Sequence, residues 1–144
     1  LGKGHQSVAA GSVAAEHRMV RVDNTASLER AMAAAQAGDV IELTPGDYMV
    51  TRPLGTVHPG TSAQPIVVRA AEVGAARLLV TAREGMLVSQ PHWTFENLAW
   101  FGRCSADDDC EHAIHVVGGG RAVNIRNNEM IDFSAHVKVN GQAG

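Results

Sequence analysis

Near the end of the chain, His136, Lys138 and Asn140 alternate with Val137 and Val139. In an extended strand successive side chains point to opposite faces, so the three polar groups project together from one side and the valines from the other. His115, between Ile114 and Val116, repeats the pattern one element earlier and lies over Lys138 if the two runs stack at their offset of 23. Imidazole, amine and amide groups on one surface can bind an acidic ligand, and an amine or imidazole placed against it can remove a proton. Lys138, His136 and His115 are therefore the candidate catalytic residues. Outward polar residues are also the default of a half-buried sheet, and a plain solvated face is the competing reading.

A second group, Asp107, Asp108 and Asp109 with Glu111 and His112, forms an acidic stretch around Cys110. Clustered carboxylates offer the hard oxygen donors that Ca²⁺ prefers, which makes Asp107, Asp108, Asp109 and Glu111 candidate metal ligands. Their spacing is not that of an EF-hand, and a solvated loop is the alternative. Cys104 and Cys110, the only cysteines, close a short disulfide in an oxidising compartment and stay thiols in a reducing one. Neither a CxxC pair nor a zinc spacing accompanies them. Trp93 and Trp100 could stack on a sugar, but Trp93 shares the parity of Phe95 and reads better as core. Gly118 to Gly120 reads as a turn, and His58, in a Pro/Gly loop, has no partners that would make it a ligand.

Few classes of protein fit the composition. Twelve basic against fifteen acidic residues give a formal charge of −3 with no long run of either sign, which argues against a nucleic-acid partner. The apolar stretches fall short of the roughly 18–20 residues of a membrane span. The chain is 45% hydrophobic but only 4% aromatic and holds 15 glycines, which suits layers of small aliphatic side chains joined by many turns. Leu1 to Glu16 is rich in Gly, Ala and Ser without the basic start and apolar block of a signal peptide, and reads as a processed end or a cloning remnant. Residues 1–19 are expected to form a loosely ordered segment, and residues 20–144 one domain.

The elements that must position the polar groups follow from periodicity. Asp23-Asn24-Thr25, with Ser27 as the other cap candidate, precedes a helical run from Leu28 to Ala37 that places Leu28, Ala31, Met32 and Ala35 on one face and meets Gly38. Beyond Gly38 the pattern is strand-like, in short runs at Val40 to Leu43, Tyr48 to Val50, Ile66 to Arg69, Leu78 to Thr81, Met86 to Ser89, Trp93 to Leu98, Ile114 to Val117, Val123 to Arg126 and Val137 to Val139. Trp93 to Asn97 aligns with Val123 to Asn127 at an offset of 30, and Met86, Ile114 and Val137 begin runs that repeat at 28 and then 23. Unequal repeats of this length, each with two or three strands, describe a coiled ribbon whose rungs differ in their turns. Stacking would pair every strand with the rungs on either side and place Asn97 over Asn127, a potential amide ladder.

The segment Ser27 to Tyr48, SLERAMAAAQAGDVIELTPGDY, resembles the opening of pectate-lyase-like parallel β-helices, in particular polysaccharide lyases of the alginate lyase and chondroitinase B type. The likeness continues through Gln64 to Ala70 and Trp93 to Gly102, and spans Val20 to Asn140. It implies an all-β, right-handed parallel β-helix with an N-terminal capping α-helix, incomplete at its C-terminal end. It further implies β-elimination on an acidic, uronate-containing polysaccharide, with a base removing the proton α to the carboxylate, an Arg nearby and Ca²⁺ as the expected cofactor. Asn140 and Arg126 are the expected substrate-binding residues. The family's longer pattern of Lys and Arg on successive rungs is absent from this stretch, so Lys138 is not carried over as its base. A secreted or periplasmic location follows from such a substrate. The alternative is a non-catalytic β-helix, a surface or assembly module that binds protein partners. Because no second cap follows Asn140, further rungs or another chain are expected on the rung containing Val137.

Overall fold

The computed structural model describes residues 17–106 and 109–141. A first strand β1 (Arg18–Val22) leads into helix α1 (Thr25–Ala34), and four rungs of three strands follow. They are β2 (Asp39–Leu43), β3 (Gly46–Val50) and β4 (Leu54–Gly55); β5 (Ile66–Ala70), β6 (Ala76–Val80) and β7 (Glu84–Val88); β8 (Trp93–Glu96), β9 (Leu98–Gly102) and β10 (His112–Val116); β11 (Asn124–Arg126), β12 (Glu129–Ile131) and β13 (Val137–Val139). The strands pair only in parallel, in three sheets ordered β1-β2-β5-β8-β11, β3-β6-β9-β12 and β4-β7-β10-β13. This is a right-handed parallel β-helix with an N-terminal helical cap.

Like lies over like along each inward column. Ile41, Val68, Phe95 and Ile125 are in register in one sheet, Tyr48, Leu78, Trp100 and Met130 in the second, and Leu54, Met86, Ile114 and Val137 in the third. No single rung can bury such residues alone, whereas the stack buries a continuous apolar core. Both tryptophans belong to it, fully buried, with indole N–H groups donating to the His58 carbonyl and Asn128 Oδ1. A sugar-stacking platform is thereby excluded for either. At the other end of the stack Val137 and Val139 point inward as expected but stay 38% and 54% exposed.

The corners explain where the sequence reading needs correction. The run from Trp93 to Leu98 is two strands, because Asn97 (φ 65°) alone turns the chain between β8 and β9; Asn127 (φ 55°) stands at the corresponding corner before β12, a strand absent from the runs read in the sequence. Asn tolerates the left-handed conformation better than most non-glycine residues. The expected ladder of Asn97 on Asn127 does not form side chain to side chain. Instead Asn97 donates to the Ala70 carbonyl and Asn128, not Asn127, donates to the Phe95 carbonyl, each tying a corner to the rung below.

Helix α1 lies against β1 to β4 with Leu28 and Met32 fully buried, so it covers the apolar end of the stack. Asn24 is its cap: Asn24 Oδ1 accepts from the Ser27 amide at 2.8 Å, and Ser27 Oγ accepts from the Asn24 amide. The helix ends at Ala34, short of the expected Ala37, since the Asp39 carboxylate takes the Gln36 amide and draws the chain into a turn. Gly38 (φ 90°) serves that turn rather than a helix terminus. Replacing Asn24 with Ala is expected to cost about 1 kcal/mol in urea unfolding. A loss below about 0.3 kcal/mol would mean that the cap contributes little to holding α1 on the stack.

Candidate functional site

The sheet β4-β7-β10-β13 carries the polar groups of interest. His115 lies in register with Leu87 on one side and Lys138 on the other, so the outward row expected from the offset of 23 is present. Asn140, just past β13, reaches back so that its Oδ1 lies 3.1 Å from His115 Nε2. His115 Nδ1 is 2.5 Å from Glu84 Oε2. With an oxygen at each nitrogen, the ring suits either an imidazolium or, with the Asn140 amide turned over, a neutral ring donating to the carboxylate. Lys138 stands exposed beside it.

Two residues complete the group: Glu84, not singled out from the sequence, and His112, grouped there with the acidic stretch instead. In a regular strand His112 would face away from His115, three residues on. Here the amides of Glu111 and His112 both donate to the Arg83 carbonyl, so the chain curls as it enters β10. The two rings then lie 5.1 Å apart, with His112 Nδ1 3.8 Å from Glu84 Oε2. One donor atom from each of Glu84, His112 and His115 falls within 4.8 Å of the other two, a group that could hold a metal ion. His112 is 8% exposed, and its Nδ1 is the one buried side-chain polar atom among the described residues without a hydrogen-bond partner. Leaving such an atom unsatisfied costs roughly 1–3 kcal/mol. The signal was present in the repeats: the offset of 28 that puts Ile114 over Met86 also puts His112 over Glu84.

Other candidates lie elsewhere. The His136 ring stands edge-on to Phe133, at the corner before β13, while its carbonyl accepts from the Ala113 and Ile114 amides. Arg126 is on a different sheet, where it ends an outward column of register partners, Arg21, Glu42, Arg69, Glu96 and Arg126. Its guanidinium is held by Glu96 at 2.7 Å, so it does not join His115 and Lys138. Glu111 is paired with Arg83 at 2.7 Å, and Asp107 and Asp108 lie outside the described residues. A disulfide joins Cys104 and Cys110, with Cα atoms 5.6 Å apart. Beside it lies a cleft of about 470 Å³ whose described lining residues include Gly102, Ala106, Asp132, Phe133 and Ser134.

No protein-family model matches the chain, and no curated protein matches it. Among solved structures it is similar to an alginate lyase from Paenibacillus sp. str. FPU-7, with a TM-score of 0.69 and 21% identity over 81% of this chain and 37% of that one. It is also similar to the PL6 family alginate lyase AlyGC, with a TM-score of 0.66 and 19% identity over 89% of this chain and 18% of that one. At such identity the likeness is one of fold. The chain spans well under half the length of either structure.

Proposed function

We propose that the chain is part of a carbohydrate-active β-helix protein of polysaccharide-lyase type that acts on or binds an acidic, uronate-containing polysaccharide outside the cytoplasm. The observation that carries this reading is the outward row of His115 and Lys138, backed by Asn140, in a solenoid that shares its fold with two alginate lyases. β-Elimination needs a base to take the proton α to the uronate carboxylate and a donor or cation to stabilise the enolate. In this reading Lys138, nominated by its place on the strand and not by the resemblance, is the base, and His115, with its two ring nitrogens held by Glu84 and Asn140, positions the surface beside it. His136 and Arg126, at the corner and on the neighbouring sheet, are left as outer contacts for a long substrate. The disulfide supports a secreted or periplasmic location, since such bonds persist in oxidising compartments.

The test is a screen on alginate, pectate and chondroitin, with and without added Ca²⁺, for new absorbance at the unsaturated-uronate band. Activity on one polymer is expected, with Lys138→Ala lowering the rate by about 10²- to 10⁴-fold. The alternative reading is a non-catalytic β-helix surface or assembly module that binds protein partners. Silence on every polymer, with retained binding to a protein partner, would favour it over the lyase.

A further inference from the structure

We infer that Glu84, His112 and His115 form a binding site for a divalent first-row metal ion of the zinc type. Two imidazoles and one carboxylate are the donors such an ion takes, whereas Ca²⁺ selects oxygen ligands, so the donor set itself separates this site from a calcium site. Bonds of about 2.0–2.2 Å put tetrahedral ligand atoms about 3.3 Å apart. The Glu84 to His112 separation of 3.8 Å and the Glu84 to His115 contact of 2.5 Å lie on either side of that value, and all three donor atoms lie within 4.8 Å of one another, so the side chains need to draw together to close on an ion.

Two further observations point to a ligand. His112 Nδ1 is buried, faces the carboxylate and has no hydrogen-bond partner, which an ion bound at that nitrogen would supply. His115, using Nδ1 toward the group, has Asn140 Oδ1 at its opposite nitrogen, the outer-sphere acceptor that fixes the tautomer of a metal-bound imidazole. Three protein ligands leave a fourth position for water or another ligand. The site does not depend on the polysaccharide reading.

Tag-free chain stripped with EDTA and titrated with ZnCl₂ by calorimetry, with native mass spectrometry for stoichiometry, tests the inference. One equivalent of Zn²⁺ is expected, retained against a large excess of Ca²⁺, with X-ray absorption showing two imidazoles in the first shell. His115→Ala and the near-isosteric Glu84→Gln should each weaken binding by more than about 100-fold, the upper range for loss of an outer-sphere partner. Asn140→Ala should weaken it by about 10- to 100-fold, and His58→Ala should leave it unchanged. His112→Ala should match His115→Ala, and should it fail to fold, Glu84→Gln and His115→Ala decide. Zinc affinity unchanged in those two variants, no zinc bound by the unmodified chain, or zinc displaced by Ca²⁺ would each overturn the site.

Discussion

Replacing Trp100 with Ala is expected to lower the unfolding free energy by about 3–5 kcal/mol, the range for removing a large buried ring that its surroundings cannot replace. Trp100 is fully buried in β9 between Leu78 and Met130 of the adjacent rungs. A Cβ added at Gly85 would come within 2.9 Å of its Cζ3, which shows how closely the β7 backbone packs on the ring. The indole N–H also donates to Asn128 Oδ1, whose amide ties the fourth rung to the third. Because each rung contacts only its neighbours, damage in the third should loosen the fourth first. Hydrogen exchange should therefore accelerate in β11 to β13 before it does in β2 to β4. Trp100→Phe keeps most of the ring and should cost less, about 1–3 kcal/mol, mainly through the unpaired Asn128 oxygen. Urea unfolding of the two variants checks the order, and a Trp100→Ala loss below about 1.5 kcal/mol would mean that the column is not continuous there.

Loss of the Cys104–Cys110 bond is the next largest expected effect on stability. The bond closes a loop with a sequence separation of 6, and the chain-entropy relation for so short a loop gives about 2 kcal/mol. Cys110 is fully buried, with its sulfur 3.3 Å from the Val80 carbonyl, so the staple pins the chain just before it enters β10. The double variant Cys104→Ser with Cys110→Ser should unfold earlier in urea by that amount. Protein taken from an oxidising compartment should show no alkylated cysteine without reductant and two with it. Two freely alkylated cysteines before reduction would remove the staple and the support it lends to a secreted location.

Residues that repeat at fixed offsets were legible without coordinates. Met86, Ile114 and Val137 announced one inward column, and Phe95 and Ile125 another, because parallel stacking keeps register over whole rungs. The same alignment that set Asn127 over Asn97 also set Arg126 over Glu96, so the ion pair that occupies Arg126 could have been read from it. The cap was readable for a local reason: Leu28 and Met32 share a helix face, and Asn24 and Ser27 are spaced to cap each other.

The sequence by itself thus determined the solenoid, its helical lid and the parity of His115 and Lys138, all of which depend on periods of two, of 3.6 or of one rung. Only the tertiary structure decided which polar groups meet. His112 and His115 share a site because two successive amides bond one Arg83 carbonyl and break the alternation, a backbone event with no period. Asn97 divides two strands because one residue in the left-handed region suffices to turn the corner, and the His136 ring stands edge-on to Phe133. Alternation holds only while the hydrogen-bond ladder is regular. At the corners, where it lapses, side-chain direction is set by contacts between rungs rather than by position along the chain.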